Sequence, residues 1–184
     1  MPDERLRSLM QDLYDAHRAF REELEKWWGR KGTKSPEPEA VTKARDQFWD
    51  ALNRLFDERL YSLWENFSNQ KEGATDAVID FLEIDIPAHR CGYIKEKFLR
   101  KLKSVELTGP QQTRLKEAAL ELVSSGSFRR ELGDWWRLMI NLADEEFVTS
   151  LRDIIRSLDT GSARGAERML KVVLEHRLDL QRPD

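Results

Sequence analysis

Glu83, Asp85, His89 and Cys91 fall within nine residues, and all four side-chain types bind metals. A closed zinc site needs four such ligands, usually as two close-spaced pairs. Here one pair, His89 and Cys91, has no second pair to complete it, because Cys91 is the only cysteine. A Cys–His nucleophile fails on geometry: helical residues two apart point about 200° away from each other. Di-iron chemistry in a helical bundle wants Glu-x-x-His motifs on facing helices, and the chain has none. Glycine-rich phosphate loops and a Gly-x-Ser-x-Gly elbow are also absent. No catalytic residue, metal or cofactor is expected. His17 reads as an imidazole packed in a helix seam. His176, near a helix C-terminus, reads as a partner of the dipole.

The stretch "HRCGYIKEKFLRKLK", residues 89–103, carries six basic residues and one acid, Glu96, in a chain of net charge −3. On a helical wheel, Ile94, Phe98, Leu99 and Leu102 share one side, while Arg90, Lys97, Arg100 and Lys101 gather opposite. Such a face could track phosphates, with Tyr93 stacking on a base, or dock an acidic protein. Just upstream, Asp76, Asp80 and Glu83 lie four and three apart and form an acidic stripe. The expectation is that this stripe neutralises the basic face inside the fold. Two tryptophan doublets, Trp27–Trp28 and Trp135–Trp136, need cover over a wide arc, because adjacent helical residues point about 100° apart. Each doublet is therefore buried on two sides or offers one ring to a partner, where tryptophan is often a hot spot.

The elements that carry these residues read as helices. Leu6, Met10, Leu13, His17, Phe20, Leu24 and Trp27 recur at steps of four and three, a heptad seam. "GRKGTKSPEPE" is a turn-rich linker over 29–39. A second long helix over 39–67 completes an antiparallel hairpin about 40 Å long. Shorter helices are expected at 75–83, 89–103, 108–125, 127–143, 144–158 and 163–176. Thr108 and Pro110 start the third of these, with Gly126 past its end. Ser127 caps the next, with Glu131 in its first turn, and Asp144 opens another. "DTGSARG", 159–165, reads as a loop, and "DLQRPD" as a fraying end.

The fold predicted is all-α, about eight helices. A long N-terminal hairpin over 1–68 packs with a bundle of shorter helices over 74–178 as one compact unit. The antiparallel pairs after Ala88 resemble an α-solenoid of the HEAT kind, but without that family's regular period or its repeated prolines and aspartates. Hydrophobic residues at 40% and charged residues at 35% fit a folded chain with charged outer faces. No stretch has signal-peptide or membrane-spanning character, and with a single cysteine the expectation is a soluble, cytoplasmic protein. The function expected is a non-catalytic interaction or scaffold protein, binding another protein or itself through helical faces, with no membrane partner. The alternative is a nucleic-acid-associated accessory protein using the 89–103 helix, and an enzyme of unrecognised type comes third.

Overall fold

The computed structural model describes residues 4–28, 37–84, 89–125, 131–157 and 160–180. Every regular element among them is helical, as the periodicity requires. The chain divides into two compact units, Met1–Ala88 and His89–Asp184. The first holds 13 basic and 19 acidic residues, the second 18 basic and 15 acidic.

In the first unit, α1 spans Glu4–Trp28 and α2 spans Glu39–Leu55. A π-helical turn, Phe56–Leu60, carries α2 without a break into α3, Tyr61–Ser68. Counting that rod as one body, the described residues hold eight helices. Arg5 meets Glu58, Arg54 meets Asp12, and Phe20 stacks on Phe48. These pairs run in opposite directions along the two chains, so the hairpin is antiparallel as expected. The π turn was not predicted, and the sequence contains its reason. Leu55 and Leu60 are both fully buried although they are five apart. A regular helix would set them about 140° from each other. The wider turn, bonded i to i+5, returns both to the core side.

Helix α4, Ala74–Glu83, packs on α1 and α3 and so belongs with the hairpin. Gly73 precedes it with φ of 72°, a conformation glycine adopts without strain. Leu6, Leu9, Met10 and Leu13 are deeply buried, whereas His17, Phe20, Leu24 and Trp27 are half-buried. The seam is deepest in the part of α1 that α4 joins, where Arg7 meets Asp80 at 3.2 Å.

The second unit comprises α5 (His89–Leu102), α6 (Gly109–Ser124), α7 (Leu132–Leu142), α8 (Glu145–Ser157) and α9 (Thr160–Leu180). Its core joins Leu115, Ala119 and Val123 to Trp135, Leu138 and Met139, and to Phe147, Val148, Leu151, Ala166, Met169 and Val173. Fully burying each large side chain contributes about 1.5–3 kcal/mol. Helix α9 lies against α6, α7 and α8, while α5 packs chiefly on α7.

Several helix starts follow local chemistry. Thr108 and Gln111 form a capping box, with the Thr108 N–H donating to Gln111 Oε1 at 3.1 Å. Asp144 Oδ1 accepts the Phe147 N–H at 2.9 Å. The expected loop over 159–165 is corrected: α9 is helical from Thr160. Gly165 and Ala166 are small residues buried in a helix contact, with Val123 of α6 beside Gly165. The same helix runs to Leu180, past the point where fraying was expected. Gly126, Ser127 and residues 29–36 of the linker lie outside the described residues.

Candidate functional site

Helix α5 is buried over a wider arc than its wheel implied. Ile94, Phe98, Leu99 and Leu102 face the core, and so do Cys91, Lys95 and Glu96. Lys95 is 3% exposed. Burial drives its ammonium below the ordinary lysine range, opposed by the Glu131 carboxylate and then by Cys91. Glu131, 4% exposed, is the residue immediately before α7. A Cβ placed on Gly92 would stand 3.2 Å from Glu131 Oε2, so the bare glycine leaves room for that carboxylate against α5. Glycine inside a helix costs about 1 kcal/mol relative to alanine. Here it makes space for a counter-ion to Lys95.

One turn along, Arg100 bridges Asp134 at 2.9 Å and Glu96 at 3.1 Å. Hydrogen bonding to Asp134 is the largest influence holding this guanidinium in its charged form. Arg137 reaches the same Asp134 at 3.4 Å. Lys95, Arg100 and Arg137 thus balance Glu96, Glu131 and Asp134 across the α5–α7 contact. The cluster's chemistry is electrostatic adhesion between two helices.

This arrangement redistributes the basic face read from sequence. Tyr93 and Lys97 are exposed, Lys101 is half-exposed, and Arg100 is turned to carboxylates of its own unit. Arg90 stands in the first turn of α5, but its side chain lies outside the described residues, as do Asp85 and the side chain of His89. Of the acidic stripe, Asp80 has a partner within its own unit. Asp80 is buried and accepts Arg7 through both carboxylate oxygens, and Arg100 finds its acids on α5 and α7. Lys95, Glu131 and Asp134 escaped the sequence reading because a wheel sends charged residues outward. The available signal was Gly92, a glycine four residues into a helix of fourteen.

The tryptophan doublets divide. Trp135 is buried, and Trp136 is half-buried with an enclosed indole N–H that has no hydrogen-bond partner among the described residues. Trp27 is half-buried and Trp28 is 65% exposed. Other aromatics on the long helices are also open: Tyr14 and Trp49 at 43% each, and Tyr61 at 61%. Tyr14 and Trp49 each follow a seam residue, Leu13 and Phe48, by one position, which puts them on one flank of the antiparallel hairpin. The opposite flank is an open cleft of about 710 Å³ lined by Asp12, Asp15, Asp50 and Asp57, with Arg54 among them. No helix among the described residues is long and apolar enough to cross a membrane.

The described residues define an all-α protein with an aromatic-flanked hairpin and a charge-clamped helical unit. No family model, curated protein or solved structure matches the chain.

Proposed function

We propose that this chain is a non-catalytic interaction protein that binds another protein through helical faces, with the N-terminal hairpin as its main docking element. The observation that supports this reading is the exposure of Tyr14, Trp28, Trp49 and Tyr61 on the two long helical rods. Tyrosine and tryptophan supply much of the binding energy at protein interfaces when they are desolvated. A heptad seam covers one stripe of each helix, so rings placed beside it stay open until a partner covers them. The test compares proteins captured from the source cell by the wild type and by a Tyr14→Ser, Trp49→Ser variant. The variant should lose at least ~90% of a specifically bound protein. Equal capture by both proteins would reject the hairpin as the docking element.

A second reading rests on α5. Tyr93 is exposed there one turn from Lys97, with Lys101 half-exposed a further turn on, a combination that fits stacking and phosphate contact. Arg100 contributes less to it, being paired within its own unit. Oligonucleotide binding with a steep salt dependence, lost on Lys97→Glu, Lys101→Glu, would favour this alternative.

A further inference from the structure

We propose that a second copy of this chain covers the aromatic flank of the hairpin, its α1 lying antiparallel on the first. This occupant rests on the reading of the hairpin as the docking element. Arg7, Tyr14, Arg21 and Trp28 stand seven residues apart along α1. Seven residues are nearly two helical turns, and such a row drifts by only about 20° at each step. The four side chains therefore share one flank, and all four are exposed. Helix α4 reaches the row at its first member, where Asp80 meets Arg7 at 3.2 Å. Further along, the neighbouring seam residues His17, Phe20, Leu24 and Trp27 are only half-buried.

The order of the row selects the occupant, because cation and ring alternate along it. A second α1 laid in the same direction and register would set arginine on arginine. Turned end for end about a two-fold axis between residues 17 and 18, it sets Tyr14 on Arg21 of the second copy and Trp28 on Arg7 of the second copy. A two-fold contact repeats each of these cation–ring pairings. Helix α2 carries the same pattern. Arg45 and Trp49 are one turn apart and share the flank with Tyr14. Phe20 against Phe48 and Arg54 against Asp12 set Arg45 near the height of Arg21, and Trp49 near that of Tyr14. The same axis thus lays Trp49 on Arg45 of the second copy. Arg21 is paired with Glu25 and Arg45 with Glu37, but a guanidinium bonded through its N–H edge still offers its planar face to a ring. Arg18, the cation nearest the axis, is paired with Asp15 at 3.5 Å, away from the flank. The opposite flank is unsuited to self-pairing, since its cleft of Asp12, Asp15, Asp50 and Asp57 would meet like charges.

The experiment is analytical ultracentrifugation of the full chain in ~0.15 M salt, where long-range attraction between molecules is screened. The wild type should show a reversible monomer–dimer equilibrium. Tyr14→Arg sets arginine on arginine and should raise the dimer dissociation constant at least ~tenfold. Arg21→Tyr removes the cation and should also weaken the dimer. The exchange variant Tyr14→Arg, Arg21→Tyr restores ring against cation in the antiparallel arrangement, and should return to within ~threefold of the wild type. Both positions are exposed, so circular dichroism should show unchanged helix content in every variant. A wild type that stays monomeric up to ~0.2 mM overturns self-pairing, and so does an exchange variant as weak as its single parents. If that monomer still captures a cellular protein through Tyr14 and Trp49, the hairpin remains a docking element with a different partner. If its Tyr14→Ser, Trp49→Ser variant captures equally, both the self-pairing and the docking role fall.

Discussion

Replacing Arg7 with methionine tests whether α4 is held to the hairpin by a buried ion pair or only by its apolar face. Arg7 meets Asp80 at 3.2 Å, and Asp80 is buried while the arginine side chain is 53% exposed. With an effective dielectric of about 20, two unit charges at that separation attract by about 5 kcal/mol. Desolvation of the carboxylate offsets much of this, and breaking a fully buried pair costs about 3–5 kcal/mol. Arg7 is half in water, so solvent would enter its place and partly rescue Asp80. The expected loss is therefore about 2 kcal/mol. With a urea slope of about 2 kcal/mol/M, the midpoint should fall by about 1 M. Arg7→Lys keeps the charge but loses the two-pronged geometry, and should cost about half as much. Arg7→Met, Asp80→Leu removes both charges and should recover most of the stability. Circular dichroism during urea unfolding measures all three. The reasoning is refuted if Arg7→Met stays within about 0.5 kcal/mol of wild type, or if the double variant is no more stable than Arg7→Met.

Three further outcomes are expected. Asp144 is held below the ordinary aspartate range first by its hydrogen bond from Lys116 and then by the Phe147 N–H; its stabilisation is present above the unfolded value of about 3.9 and is lost as pH falls through the lower folded one. Asp144→Ala should thus cost about 1 kcal/mol at pH 7 and progressively less as pH falls below about 3.9, by thermal unfolding. Lys95 has its affinity for a proton lowered by burial, so between its folded value and about 10.4 the unfolded chain binds more protons and stability rises with pH; that rise should vanish in Lys95→Met when melting is followed from pH 7 to 10. Gly92→Ala should fail to deliver the ~1 kcal/mol that a helix-interior glycine normally yields on becoming alanine, because its Cβ meets Glu131 at 3.2 Å, and the gain should appear when Glu131→Ala is made as well.

Much of the helical layout was legible because its signals are local. Thr108 with Gln111, and Asp144 before Phe147, satisfy backbone N–H groups within a few residues of themselves, so their roles do not depend on the rest of the fold. The hairpin was legible because its seam repeats over many turns. The candidate site was not. Whether Lys95 or Lys97 faces inward depends on which neighbours arrive over α5, and composition assigns both to solvent. The acidic stripe was matched to the nearest basic run in sequence, but Asp80 took an arginine 73 residues away. The start of α9 was placed three residues late, at Ala163, because Gly165's role as a contact point shows only when the crossing helix is present. The π turn lay in a similar blind spot, since its sign is a drift of the apolar stripe that only the core resolves.

The division of charge between the two units bears on how the molecule behaves in bulk solution. One half carries a formal excess of six negative charges and the other an excess of three positive charges. The mild net charge of −3 conceals that contrast. At low ionic strength the screening length reaches about 30 Å, and opposite halves of different molecules attract. In ~0.15 M salt it shrinks to about 8 Å, and the attraction fades. The protein should consequently salt in: dilute buffer favours turbidity and reversible clustering, and moderate salt clears it. On ion exchangers it should bind resins of either sign near neutral pH, each through a different half.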